Sequence, residues 1–223
     1  MSRQVASGAV AGPVFVAVFT LIGAARSGYD WRRHTVSSLA CGRQGWWQRA
    51  NFILTGVLWC AAARGLGRAP RSAVGPRIVP ALVAAAGAGL VGSGLFVTDP
   101  VGGFPLPSAP AVNSGDAAAS TSGAQTWEGE LHNLSAIPIF AGIPVAALAA
   151  AAAAARAGDY RWACYSASSS LAMVGSFMLF GAAFGGKRNL AGRGGIFQRL
   201  SIAAGFGWVT ALSCRTLRAL QQR

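Results

Sequence analysis

The sequence predicts an all-α fold, a polytopic membrane protein built as a bundle of six transmembrane helices. Of its 223 residues, 53% are hydrophobic and 11% are charged, whereas a soluble domain carries about 25% charged residues. A charged fraction of 11% is too low to cover the surface of a soluble protein. Six segments of mostly apolar residues recur along the chain, each with about the 20 residues that a helix needs to cross a bilayer.

Each apolar segment is expected to be a helix, because backbone groups in lipid must find hydrogen-bond partners within their own segment. The predicted spans cover residues 5–25, 46–66, 78–97, 131–155, 162–184 and 195–217. The first is too long for the apolar part of a signal peptide, which has about 7–15 residues. Residues 98–130 are rich in Pro, Ser, Gly and Ala, which predicts a flexible loop. We therefore interpret residues 1–223 as a single integral membrane domain.

The charge distribution indicates contact with a membrane surface. The chain has 19 basic and 6 acidic residues. In a soluble protein this excess would indicate nucleic-acid binding, but beside long apolar segments it indicates an anionic lipid bilayer as the partner and no nucleic acid. Six spans put both termini on one side, and the long loop on the other side contains no Lys or Arg. This pattern predicts a multi-pass protein of the cell membrane with both termini in the cytoplasm.

Three polar clusters interrupt the apolar sequence, and with six spans all three lie on the membrane face opposite the termini. The first is residues 30–38, the second joins residues 98–100 to residues 128–133, and the third joins residues 187–189 to residues 198–199. Ionisable residues at membrane depth are costly and by default indicate function. We therefore expect a polar pocket on this face.

Two other interpretations of the clusters remain open. Asp30 or Asp99 could pair with Arg32 or Arg199 in an interfacial network that fastens the loops to the bundle, and such ion pairs are common and often weak. Charged side chains could also simply extend from helix ends to the interface.

One chemistry for such a pocket is metal-assisted hydrolysis. His34, Asp99 and His132 would supply three ligands to a divalent metal such as zinc and leave a fourth position for an activated water. Ser37 or Ser38 could orient that water. No HxxxH or HExxH spacing supports this idea, so it depends on the fold bringing the three ligands together.

A second chemistry is recognition of an anionic head group. The basic residues that could clamp a phosphate are Arg32, Arg33, Lys187, Arg188 and Arg199. His132 could act as a general acid or base. Asp30 and Gln198 lie in the same clusters and complete the predicted substrate-binding set.

The chain also contains a serine, a histidine and an aspartate that could form a nucleophilic triad, but their spacing in the sequence cannot support one. The predicted catalytic residues are His34, Ser37, Asp99 and His132.

Two glycine patterns are interpreted as helix packing. Residues 87–92 match GxGxxG, but a dinucleotide site needs that motif between a strand and a helix, and here it lies inside a predicted span. Gly181 and Gly185 form a GxxxG pair, which typically allows membrane helices to approach closely.

Five segments in order resemble the DUF998 family of bacterial six-span membrane proteins. They are RRHTVSSL at residues 32–39, GWWQRANF at 45–52, GLFVTDP at 94–100, LHNL at 131–134 and GIFQRL at 195–200. The resemblance covers nearly the whole chain and implies the same six-span fold. Because the family is named for lacking a known function, the resemblance implies no activity. Asn133 stands where the resemblance leads us to expect an aspartate.

The leading functional hypothesis is a membrane-embedded enzyme or binding protein that acts on a lipid or isoprenoid-like substrate through the polar pocket. His34, Asp99 and His132 would form its reactive core. The alternatives are a non-enzymatic assembly factor and a small transporter. A transporter should carry ionisable groups or helix breaks near the bilayer midplane, and no charge lies at the centre of a predicted span.

Overall fold

A computed structural model of the chain describes residues 1–105, 125–185 and 189–222. Within these ranges the α-helices are α1 (Ser2–Ala25), α2 (Trp46–Arg68), α3 (Arg71–Val74), α4 (Ile78–Leu95), α5 (Trp127–Ile137), α6 (Ile143–Arg156), α7 (Tyr160–Phe184) and α8 (Gly194–Gln221). A short 3₁₀ helix covers Ser37–Ala40. A π-helical turn, Pro138–Gly142, joins α5 to α6 in one continuous helical segment.

Six helical segments of the described chain are long and apolar enough to cross a membrane. They are α1, α2, α4, the continuous segment from α5 to α6, α7 and α8. The predicted all-α fold with six transmembrane helices is confirmed. The majority of helix ends differ from the predicted positions by a few residues, because hydropathy changes gradually there.

The fourth span begins earlier than predicted, at Trp127, so the end of the predicted loop is helical. The reason is a cap that hydropathy does not report. The Thr126 hydroxyl accepts the Gly129 N–H at 3.0 Å, and Glu128 and Glu130 lie in the first turn. Both features stabilise a helix start. Residues 106–124 of the predicted loop lie outside the described residues.

Helices α2 and α4 pack closely through glycines. A Cβ added to Gly87 would lie 2.8 Å from the Gly56 carbonyl oxygen and 2.9 Å from the Cys60 Sγ. The packing interpretation of residues 87–92 is therefore confirmed. The same interpretation fails at Gly181, where an added Cβ would meet nothing within 4 Å in the described part of the chain.

An aromatic cluster fills the centre of the bundle and connects α1, α2 and α8. The Phe15 and Phe206 ring centroids are 5.0 Å apart, and those of Trp59 and Phe206 are 4.5 Å apart. All three side chains are buried. The three side chains therefore belong to one core shared by these helices.

The loop after α1 rests on the first turn of α8. The Arg32 carbonyl accepts the Ile196 N–H at 3.2 Å. A side chain at Gly195 would overlap the backbone of this loop, which explains why glycine is needed there. The ends of the first and fifth connections thus lie on the same face, as the number of spans predicts.

Candidate functional site

A serine and a histidine from distant parts of the chain meet at the polar face. Ser37 begins the 3₁₀ helix after α1, and His132 lies in the second turn of α5. The Ser37 Oγ and the His132 Nε2 are 3.1 Å apart, across 95 positions of sequence. This is a hydrogen-bond distance. The fold therefore joins the first predicted polar cluster to the second.

Two backbone carbonyls determine the tautomer of His132. Its Nδ1 lies 3.1 Å from the Ser93 oxygen and 3.0 Å from the Phe96 oxygen. Because carbonyl oxygens only accept, Nδ1 carries the proton and the neutral ring presents a lone pair at Nε2. The Ser37 hydroxyl then donates to Nε2, the arrangement in which a histidine can act as a base toward a serine. The two carbonyls do the orienting that an aspartate does in a triad.

Ser37 is held by hydrogen bonds of its neighbours. The Val36 N–H donates to the Gln198 Oε1 at 2.7 Å, and the Ser38 N–H donates to the Thr35 Oγ1 at 3.0 Å. The neighbours Thr35, Val36 and Ser38 are all buried. The backbone of Ser37 is thus held by bonds of its neighbours, and its hydroxyl makes the bond to His132.

A narrow cavity lies beside the pair. Its polar lining comes from Ser37, Ser93, His132 and Gln198, and the rest is apolar and comes from α1, α2, α4, α5, α8 and the π turn. The space open to the centre of a water molecule is about 30 Å³, room for about two waters. A larger molecule could enter only if side chains or the first loop moved.

Ser93 brings an unsatisfied hydroxyl to this cavity. The residue is 2% exposed, and its Oγ has no hydrogen-bond partner among the described residues. Buried polar groups in proteins nearly always have a partner, so an exception calls for a specific explanation. A water or a ligand group in the cavity could supply that partner.

Asp99 binds the start of α5. Its Oδ1 accepts the Thr126 hydroxyl at 2.7 Å, and its Oδ2 accepts the Thr126 N–H at 3.1 Å. Gly129 faces the carboxylate so closely that a methyl group there would overlap it. A negative charge at a helix N-terminus is favourable. Asp99 therefore helps to place the helix that carries His132, and none of its hydrogen bonds in the described chain reaches the histidine.

His34 is tied to the backbone of its own loop. Its Nδ1 accepts the Asp30 N–H at 2.9 Å, so Nε2 carries the proton of the neutral ring and faces the Gly102 backbone. The ring stacks on Phe104 with centroids 5.2 Å apart. Burial lowers the pKa of His34 below its usual value. These contacts give His34 a role in holding the loop.

The three predicted metal ligands do not come together. Within residues 1–105, 125–185 and 189–222, no group of three or more His, Cys, Asp or Glu side chains could hold a metal ion. In the described chain Asp99 binds Thr126, and the Nδ1 of His34 accepts the Asp30 N–H, so these side chains are used in separate contacts. The three predicted ligands therefore do not form a metal site in that part of the chain.

Arg199 braces the first loop instead of facing the cavity. Its Nη1 donates to the carbonyl oxygens of Trp31 at 2.7 Å, His34 at 3.1 Å and Gly195 at 3.0 Å, and its Nη2 contacts the Tyr29 hydroxyl. Most donors of the guanidinium are therefore used within the fold.

The other predicted substrate-binding residues of the first loop lie at its surface. Arg32 and Arg33 are exposed, and the Arg32 guanidinium lies over the Trp31 ring at 5.4 Å from the centroid. Asp30 accepts the Arg32 N–H at 2.9 Å. Lys187 and Arg188, the other predicted phosphate ligands, lie outside the described residues.

The ion-pair network predicted as an alternative for this face is not found in the described chain. There, Asp30 and Asp99 accept hydrogen bonds from N–H groups and from the Thr126 hydroxyl. The ion pair that is present joins Arg215 to Asp159 at 2.8 Å, on the face of the termini. The first loop is thus fastened mainly by hydrogen bonds to backbone groups.

Six spanning helices, with a serine–histidine pair under the loops of one face, define a multi-pass membrane protein with a candidate site at one end. The family model described as "Protein of unknown function (DUF998)" matches residues 9–215. The chain therefore belongs to this family, and the resemblance carried by the five motifs is confirmed. Searches of curated proteins and of solved structures found no match.

Three features of the site were not predicted from the sequence. The Ser93 hydroxyl, the Phe96 carbonyl and the Gln198 bond to Val36 all became visible only in the fold. A signal existed for Ser93, because it is a polar residue near the end of an otherwise apolar span. No residue-level signal marks a carbonyl group, since every residue has one.

Proposed function

We propose that this protein is a membrane-embedded enzyme that cleaves or transfers an acyl group of a lipid or isoprenoid-like ester, with Ser37 as the nucleophile and His132 as the base. The observation that supports the proposal is the 3.1 Å contact between the Ser37 Oγ and the His132 Nε2, together with the carbonyl contacts that keep the proton on Nδ1.

In the proposed reaction, the Ser37 oxygen attacks the ester carbonyl while its proton passes to the His132 Nε2. The imidazolium then returns a proton to the departing alcohol, which leaves an acyl group on Ser37. Water or a second alcohol takes up the acyl group and restores the serine. Two backbone carbonyls stabilise the imidazolium with dipoles and not with a full charge, so we expect slower turnover than in triads with a carboxylate.

Two cavity residues could stabilise the oxyanion of this reaction. The Gln198 Oε1 accepts from Val36, so its amide NH₂ is the part free to donate. The Ser93 hydroxyl has no partner among the described residues. Donors aimed at the developing negative charge are usually the largest catalytic contribution.

The surroundings favour a lipid-like substrate. The cavity is mostly apolar and lies inside a bundle whose outer surface suits a bilayer. Its small volume requires that the first loop or the α5–π-turn segment move to admit an acyl chain. π-Helical turns are frequent at functional sites, and Ile139 and Phe140 of this turn line the cavity.

The test is labelling of the purified protein in lipid nanodiscs by a fluorophosphonate, which reacts with activated serines. We expect labelling of the unmodified protein and none of Ser37→Ala. Ser38→Ala is the matched control, since Ser38 is an adjacent buried serine that bonds to Thr35. His132→Gln should reduce labelling about 100-fold or more, because the base is removed.

Equal labelling of Ser37→Ala and the unmodified protein would exclude Ser37 as nucleophile. If a folded, unmodified protein is not labelled at all, the Ser37–His132 bond is a structural link between the first loop and α5. A non-enzymatic assembly factor would then be the better assignment.

We further propose that both termini lie in the cytoplasm, because residues 98–130 on the opposite face contain no Lys or Arg. We test the location of the termini with two reporter fusions at residue 223. One reporter is active only inside the cell, and the other is active only outside it. Activity of the outside reporter would reverse the assignment.

A further inference from the structure

A second and larger cleft lies at the other end of the bundle, on the face of the termini. It is formed by α3, the first turns of α7 and the last turns of α8. The space open to the centre of a water molecule is about 580 Å³, in the range of small-molecule sites. Its lining includes Trp162, Tyr165, Arg215 and Arg218.

Arg215 is fixed in place in this cleft by three contacts. Its Nη2 lies 2.8 Å from the Asp159 Oδ2, its Nε donates to the Ala73 oxygen at 3.3 Å, and its guanidinium lies over the Trp162 ring at 5.2 Å from the centroid. A guanidinium has five N–H donors. The hydrogen bonds formed within the described chain use two of them, so three remain for a ligand in the cleft.

Arg218 adds an uncompensated positive charge. It lies three residues after Arg215 on α8 and therefore on the same side of the helix. It is exposed, lines the cleft and has no acidic partner within 4 Å among the described residues. Asp159 balances Arg215 alone, so the cleft carries a net charge of about one positive unit. Two guanidinium groups that line one cleft suit the oxygens of a phosphate.

The position of the cleft along the bundle indicates which kind of molecule would supply a phosphate group to it. Trp162 and Tyr165 lie in the first turns of α7, where aromatic side chains mark the membrane interface. Tyr165 is 42% exposed, on the outer surface of a spanning helix. The guanidinium groups therefore lie at the depth of lipid head groups, with an apolar surface beside them for acyl chains.

We propose that this cleft binds the phosphate of an anionic phospholipid. Arg215 and Arg218 hold the phosphate oxygens, Trp162 backs the Arg215 guanidinium, and the lipid tails follow the outer surface of α7. The site is independent of the Ser37–His132 pair and lies at the opposite end of the bundle.

The experiment is a lipid titration followed by native mass spectrometry of the delipidated, full-length protein in detergent. The probes are phosphatidylglycerol, which is anionic, and phosphatidylcholine, which is zwitterionic. We expect tighter binding of phosphatidylglycerol, weakened about fivefold by Arg218→Gln. Arg77→Gln is the matched control, because Arg77 is exposed on the same face and does not line the cleft.

A second variant makes the test independent of Arg218. Ser72 is exposed and lines the cleft, so Ser72→Glu places a negative charge there and should also weaken phosphatidylglycerol binding. Equal losses in Arg218→Gln and Arg77→Gln would overturn the proposal in favour of general surface charge. If inorganic phosphate alone, at constant ionic strength, binds as tightly as phosphatidylglycerol, the lipid is overturned as the source of the phosphate group.

Discussion

The hydrogen bond between Gln198 and Val36 offers a sharp test of how the serine is positioned. The Gln198 Oε1 accepts the Val36 N–H at 2.7 Å, across 162 positions of sequence. Gln198 is 6% exposed and Val36 is 1% exposed. In Gln198→Leu the side chain keeps a similar volume, but the Val36 N–H is left buried without a partner.

The expected cost follows from that unsatisfied donor. Leaving a buried N–H unpaired costs about 2 kcal/mol, which lowers the unfolding temperature of a chain of this length by about 4–8 °C. The reactivity of Ser37 with the fluorophosphonate should fall as well, because Val36 directly precedes it. Thermal unfolding in one detergent at one heating rate measures the first effect, and labelling rates measure the second.

Gln48→Leu is the matched comparison. Gln48 is also fully buried, but its Nε2 has no partner in the described chain, and its Oε1 accepts only a 3.3 Å bond from Asn51. Replacing Gln48 removes one long hydrogen bond, so we expect the free energy of unfolding to change by under about 1 kcal/mol. If Gln198→Leu proves no less stable than Gln48→Leu, the positioning role assigned to Gln198 is wrong.

Three further predictions concern the packing and the first loop. Because burial lowers the pKa of His34, the unfolded chain binds its proton more readily, so stability should fall as the pH drops below about 6.5. In His34→Gln the unfolding temperature should depend less on pH between 7 and 5, and an unchanged dependence would contradict this. Gly87→Ala places a methyl group 2.8 Å from the Gly56 oxygen and should lower the free energy of unfolding by about 1–3 kcal/mol. Gly175→Ala is the control, because a methyl group there meets nothing within 4 Å and should not lower the free energy of unfolding in the same assay. Burial raises the pKa of the Cys41 thiol to about 11, so about one thiol in a thousand is ionised at pH 8. A maleimide should therefore modify Cys41 only after denaturation. Rapid modification of Cys41 in the folded protein would show that the loop opens.

Much of the architecture could be predicted because its causes are local. A run of about 20 apolar residues must form a helix in lipid, whatever its neighbours are. The parity of the spans then put residues 30–38 and 128–133 on one face before any contact was known. The start of the fourth helix was misplaced because the Thr126 cap is one hydrogen bond, which leaves hydropathy unchanged.

The individual roles within the polar face could not be predicted in the same way. His34, Asp99 and His132 were grouped as metal ligands because their side chains share that chemistry. In the fold, His34 binds the Asp30 N–H, and Asp99 binds Thr126. Backbone N–H groups, which nearly every residue possesses, are among the partners of both side chains, so side-chain identity could not distinguish a metal ligand from a residue that holds a loop.

The sequence by itself determined the six-helix membrane bundle and the face on which its polar residues gather, because hydropathy and backbone hydrogen bonding act within each segment. Only the tertiary structure decided which polar residues meet. Ser37 and His132 come together because Gln198 holds the loop from α8 and because the carbonyls of Ser93 and Phe96 orient the imidazole. Those contacts join elements that are far apart in the chain, and their distances depend on how the helices pack.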